Sequence, residues 1–133
     1  TEFVQPLSFE TLSGNRVITD LFDRDFDFEV EHVALAKRAD VFVVAPATAN
    51  TIGKIANGIA DDMLTTTIMA CKAPKIICPA MNTNMYENEN TTENIARLKK
   101  QGYKIIEPIS GRLACGDVGK GKMAEPETIV KAI

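Results

Sequence analysis

Lys75-Ile-Ile-Cys-Pro-Ala-Met-Asn-Thr-Asn-Met-Tyr86 is the stretch whose reading decides the fold. It opens with an apolar run that lacks polar alternation, the pattern of a parallel strand covered on both faces. Small polar residues then lead toward a helix. A junction of that kind lies at the carboxyl edge of an open α/β sheet, where such sheets bind their ligands.

Working outward, Val41-Phe-Val-Val44 and Lys104-Ile-Ile106 repeat the unalternated apolar run. Helical segments are expected at roughly 28–39, 49–57, 61–72, 91–101 and 126–132. Strand alternating with helix predicts an α/β chain with a doubly wound, Rossmann or flavodoxin-like parallel sheet in a three-layer α/β/α arrangement. Thr91-Thr-Glu-Asn94 reads as the start of one helix, ahead of Ile95 and Leu98, and Gly102 as its end. The first 27 residues predict a short helix near Ser8 to Leu12, a turn at Gly14-Asn15, a strand at Val17-Ile18 and an acidic loop.

The 133 residues suit one domain that buries roughly two-thirds of its unfolded surface. A net charge of -3 with scattered lysines gives no footprint for nucleic acid. Neither a membrane span nor a signal peptide is visible, so the chain reads as cytoplasmic. Cys71, Cys78 and Cys115 have neither metal-type spacing nor an even count, so they are expected to be reduced thiols with no metal site. Cys71 is expected in a helix and Cys78 in a strand, both as packing residues.

Four segments could carry chemistry. Ala45-Pro-Ala-Thr-Ala-Asn-Thr51 has small side chains over which a planar ligand could approach the backbone, flanked by hydroxyl and amide groups. By spacing alone, Thr48 or Asn50 could simply cap the next helix. In residues 79–86, Asn82 could likewise be a cap, with Met81 and Met85 as core residues at i, i+4. His32, the one histidine, shares a helical stripe with Leu35, Ala36 and Ala39, which is equally the pattern of a packed residue. Cys115 sits in Gly111-Arg-Leu-Ala-Cys-Gly-Asp-Val-Gly-Lys-Gly-Lys-Met123, whose four glycines predict an exposed, mobile loop. Asp62 is expected to cap the helix that begins at Met63.

These segments together, in this order across nearly the whole chain, resemble the homo-oligomeric flavin-containing cysteine decarboxylase family, in its branch that acts on phosphopantothenoylcysteine. Residues 79–86 are similar to the family's Pro-x-Met-Asn-x-x-Met-Trp, with Tyr86 in place of tryptophan. The Val-Ala-Leu-Ala-Lys-Arg-Ala-Asp-Val run lines up with the family segment that begins at its essential histidine. The resemblance implies that Thr48, Ala49, Asn50, Thr51 and Ala80 contact FMN. It also implies His32 as base, Asn82 as ligand of the substrate carboxylate and Cys115 as final proton donor. Met85, Arg112, Ala114 and Met123 would line the substrate.

The implied reaction is decarboxylation of 4′-phospho-N-pantothenoyl-L-cysteine to 4′-phosphopantetheine through a thioaldehyde and an enethiol, on the route to coenzyme A. The implied assembly is a trimer or a set of trimers, and the family's N-terminal strand and phosphate-binding turn are expected to precede Thr1. A peptidyl-cysteine decarboxylase, a flavin prenyltransferase and a non-enzymatic phosphatase regulator are the alternative relatives. The Cys115 clamp and the Met-Asn motif speak against them.

Overall fold

The computed structural model describes residues 4–21, 31–112, 116 and 118–133. In chain order the elements are α1 (Pro6–Ser13), α2 (Glu31–Arg38), β1 (Phe42–Ala47), α3 (Ala49–Ala56), α4 (Met63–Ala70), β2 (Lys75–Pro79), α5 (Thr83–Glu87), α6 (Glu89–Lys100), β3 (Lys104–Ile105), β4 (Ile109–Arg112), β5 (Val118–Lys122) and α7 (Pro126–Val130).

β1, β2 and β3 form a parallel sheet in that spatial order, with Val43 beside Ile76, Val44 beside Ile77 and Ile77 beside Ile105. Successive side chains leave opposite faces, so this register builds two cores at once. Val44 and Ile77 enter one core with Ile52 and Ile55 of α3, Ile68 of α4, Tyr86 of α5 and Ile95 and Leu98 of α6. Ile76 and Cys78 enter the other with Ala124 and Ile129, while Val41, Val43 and Met123 pack against it. Helices therefore cover both faces, which is the expected doubly wound, flavodoxin-like three-layer fold. Each fully buried Ile or Leu contributes about 1.5–3 kcal/mol, and Ile52, Ile68, Ile77 and Leu98 anchor the larger core.

Local signals explain the element ends. Asp62 accepts from Thr65 N at 2.8 Å while Thr65 Oγ1 faces Asp62 N, a reciprocal capping box that starts α4 as expected. Gly14, at φ 66°, ends α1 in the left-handed region that glycine tolerates best.

Four expectations need correction. α6 begins at Glu89 rather than Thr91, because Asn88 takes the cap position and accepts from Asn90 N at 3.0 Å, leaving Thr91 buried inside the helix. Val17 and Ile18 form no strand; the Val17 amide instead donates to the Glu10 carboxylate at 2.9 Å. Cys71 lies just past α4 in extended backbone, buried as expected, rather than within a helix. Much of the glycine-rich segment is an antiparallel hairpin of β4 and β5, with Ser110 beside Lys120 and Gly111 beside Gly119. Residues 28–30 of the helix expected at 28–39 lie outside the described residues.

Candidate functional site

Two strand-to-helix turns meet at the carboxyl edge of the sheet. At the first, Thr48 leaves β1 in extended backbone and its Oγ1 accepts from Thr51 N at 3.2 Å, satisfying one of the orphan donors of α3. The two threonine hydroxyls are 3.1 Å apart, and Asn50 is exposed on the first helical turn.

At the second turn, Ala80 N donates to Ala47 O at 2.9 Å and so ties the ends of β1 and β2 together. Met81 N donates to Gly121 O at 3.0 Å, which brings the hairpin against the same segment. Asn82 caps α5, its Oδ1 accepting from Asn84 N at 2.9 Å. The cap uses the oxygen end of the amide, whereas a carboxylate ligand calls on the NH₂ end. Met81 packs partly against the larger core, and Met85 is half exposed beyond it.

The hairpin lies on this turn closely enough to dictate its own sequence. A Cβ on Gly121, whose φ is 153°, would stand 2.1 Å from the Met81 carbonyl oxygen. A Cβ on Gly119 would stand 2.3 Å from Thr83 Oγ1. Only hydrogen at these two positions permits the approach. The contact buries the Thr83 hydroxyl, which has no hydrogen-bond partner among the described residues.

A polar cluster adjoins the contact. Tyr86 is buried in the larger core, yet its hydroxyl donates to the Glu107 carboxylate. Lys99 meets the other carboxylate oxygen at 2.8 Å, and Lys120 lies 3.5 Å from Glu107 Oε2 and 5.3 Å from the centroid of the Tyr86 ring. The hydrogen bond from Lys99, then that from Tyr86, lowers the Glu107 carboxyl to about 2. Burial, reinforced by the neighbouring carboxylate, pushes the Tyr86 phenol well up, so it remains a donor. Sequence reasoning missed Glu107 and Lys120. Glu107 closely follows β3, so its place near the carboxyl end of a parallel strand was the available signal.

Thr48, Ala49, Asn50 and Thr51 thus share an edge with Ala80, Asn82 and the base of the hairpin. Arg112 ends β4 opposite Val118 and is exposed, while Met123 packs against the smaller core. His32 is not brought to either turn by any hydrogen bond or ion pair among the described residues; it sits at the start of α2, which packs on α4. Ala114 and Cys115 lie outside the described residues. An open apolar cleft of about 440 Å³ between α2 and α4, lined by Leu35, Ala39, Phe42, Met63 and Leu64 among others, shares no lining residue with either turn.

The two turns together offer groups suited to a flavin ring: small, part-exposed side chains at Ala49 and Ala80 for close approach, with hydroxyl and amide groups at Thr48, Asn50 and Thr51 for its polar edge. The pattern of the Flavoprotein family matches residues 1–133. The chain belongs to that family. Flavin is accordingly its class of cofactor.

Among relatives of this flavoprotein, the coenzyme A biosynthesis bifunctional protein CoaBC of Bacillus subtilis is 54% identical over 129 residues, which are 97% of this chain and 32% of that protein. A probable phosphopantothenoylcysteine decarboxylase of Streptococcus mutans is 48% identical over 134 residues, covering 99% of this chain and 75% of that protein. The chain therefore spans about a third of the bifunctional relative. Among solved structures, a Cys-to-Ser mutant of PPC decarboxylase complexed with pantothenoylaminoethenethiol superposes with a TM-score of 0.81 at 41% identity, over 88% of this chain and 68% of that one. The FMN-dependent cysteine decarboxylase SpaF gives a TM-score of 0.82 at 34% identity, over 98% and 70%.

Proposed function

We propose that this flavoprotein decarboxylates 4′-phospho-N-pantothenoyl-L-cysteine to 4′-phosphopantetheine with FMN, in the cytoplasm, as a step of coenzyme A biosynthesis. The observation that carries the reading is the bond from Ala80 to Ala47, which sets the 79–86 motif, with Asn82 at the head of α5, at the same sheet edge from which the 48–51 turn leaves β1. The likeness to a PPC decarboxylase complexed with pantothenoylaminoethenethiol supports it.

A cysteine carboxylate has no sink for the electrons left behind by CO₂, and a bound FMN supplies reversible hydride acceptance to meet that need. Thr48, Ala49, Asn50, Thr51 and Ala80 would hold the ring. Asn82 orients the carboxylate through a neutral amide donor, avoiding a full counter-charge that would stabilise the ground state against loss of CO₂. His32 takes the proton lost from the substrate thiol, and Cys115 returns a proton to carbon after CO₂ has left. Met85, Arg112, Ala114 and Met123 line the remainder of the substrate. The working form is a trimer or an assembly of trimers, in keeping with α1, which buries no residue and exposes Leu7, Phe9 and Leu12.

The test is a single turnover of the FMN-loaded full-length protein followed by mass spectrometry. Wild type should yield phosphopantetheine. Cys115→Ser should release CO₂ yet accumulate a product two hydrogens short, because a hydroxyl is a far weaker acid than a thiol of pKa ≈ 8.5. Asn82→Asp should block before CO₂ release by facing the carboxylate with like charge. His32→Asn should retain FMN but not oxidise substrate. Full turnover by Cys115→Ser at the wild-type rate would remove the cysteine from the mechanism, and failure of wild type to retain FMN through gel filtration would overturn the reading as a whole. The second reading, a cysteine decarboxylase of the SpaF kind, is favoured by the 98% coverage of this chain in that superposition. A preference for a peptide ending in cysteine over phosphopantothenoylcysteine would establish it.

A further inference from the structure

We propose that Glu107 is a positioning residue for the candidate site, setting the height of the β4–β5 hairpin over residues 79–86 by drawing Tyr86, Lys99 and Lys120 onto one carboxylate. The consequence for turnover rests on the decarboxylase reading above; the positioning itself does not.

Three elements converge on this side chain. Tyr86 comes from α5, the helix that Asn82 heads, and its hydroxyl reaches Glu107 through the edge of the larger core. Lys99 comes from α6 and fixes the other carboxylate oxygen at 2.8 Å. Lys120 comes from β5, lies between Gly119 and Gly121, and contacts both Glu107 and the Tyr86 ring. Side chains alternate along a strand, so with Gly119 turned toward the Thr83 side chain and Gly121 toward the Met81 backbone, Lys120 between them is the hairpin's handle on Glu107 and Tyr86.

The hairpin needs such a handle. Its two glycines bring no side chain to the contact, and its approach buries the Thr83 hydroxyl without a partner among the described residues, which opposes closure. Among the described residues, the Met81–Gly121 backbone bond and the Glu107 cluster both attach β5 to this turn. Each ion pair is about half exposed and weak alone, but Tyr86 orders the carboxylate from the buried side, so the three contacts act on one pre-set acceptor.

The experiment measures amide hydrogen exchange in the full-length FMN-loaded protein, alongside KM and kcat with phosphopantothenoylcysteine. Lys120→Met and Glu107→Gln should each speed exchange at residues 119–122 by about tenfold, while Lys99→Met, which leaves the hairpin contact in place, should change it by less than about threefold. The same two variants should raise KM by about fivefold with kcat within about twofold, the mark of a lost positioning contact rather than lost chemistry. Lys120→Arg should restore both.

Wild-type exchange in Lys120→Met would overturn the proposal. So would faster exchange with KM and kcat unmoved, or an effect of Lys99→Met as large as that of Lys120→Met. If wild type turns over no phosphopantothenoylcysteine, the decarboxylase reading fails, and the exchange rates decide the positioning role.

Discussion

The two turns at the carboxyl edge are built from like parts and held by unlike means. Each follows a strand of the parallel sheet, and each has a side-chain cap, Thr48 on Thr51 N and Asn82 on Asn84 N. The first is followed by the eight-residue α3, which is seated by Ile52, Ile55 and Ala56, so neighbours in sequence fix its shape. The second is followed by the five-residue α5, too short to hold itself, and is fixed by β1 through Ala80, by β5 through Met81, and by Glu107 through Tyr86. The contrast shows that one half of a site can be specified locally while the other depends on residues some 20 to 40 positions away.

Substitutions that attack the distant supports should therefore cost more than those that attack the caps. Gly121→Ala should cost the most, about 3 kcal/mol, since the added methyl meets the Met81 carbonyl and the positive φ disfavours any side chain. Urea unfolding measures this, and a loss below about 1 kcal/mol would mean that β5 does not press on the second turn. Gly119→Ala should cost about 2 kcal/mol, and about half should return in the Gly119→Ala/Thr83→Ala double variant, because the clash is chiefly with the Thr83 side chain. Equal losses in the single and double variants would break the assignment.

At the first turn, Thr48→Ala should cost about 1 kcal/mol, the usual value of a cap, and hydrogen exchange should speed up in the first turn of α3 but not at residues 81–83. An effect reaching residues 81–83 would show the two turns to be coupled.

The smallest effect is that of acid. Glu107 titrates lower in the folded chain than in the unfolded one, so its contribution is complete above the ordinary carboxylate range and is lost as pH falls toward about 2. Because the carboxylate is half exposed, that contribution should stay below about 1 kcal/mol. It should appear as a slightly steeper loss of melting temperature below pH 4.5 in wild type than in Glu107→Gln, and identical slopes would remove it.

The same contrast explains what the sequence disclosed. β1 and β2 were legible because Val41 to Val44 and Ile76 to Cys78 are apolar at every position, as a strand packed on both faces requires. The Thr48 and Asp62 caps were legible because capping is local. The hairpin was not, since Val118-Gly-Lys-Gly-Lys122 reads as a loop by composition, and its glycines answer to Thr83 and Met81 rather than to a turn. The alternation of Gly119 and Gly121 with Lys120 and Lys122 was the period-2 signal that composition obscured. The start of α6 was misjudged because Asn88 and Thr91 are both competent caps, and burial of Thr91 settled the choice. In the candidate site, Asn82 and the 48–51 turn lie where the motifs suggested, whereas Glu107 and Lys120 gain meaning only from the packing that joins them.

One consequence follows from the pair of bonds at Ala80 and Met81. Successive backbone N–H groups that converge on one point form a ready receptor for an anion. Here the first amide after Pro79 faces Ala47 O and the next faces Gly121 O, so the two carbonyls already occupy these donors. The main chain at positions 80 and 81 thus serves as a strut between strands rather than as an anion nest, and a negatively charged group arriving beside it finds neither of these two amides open.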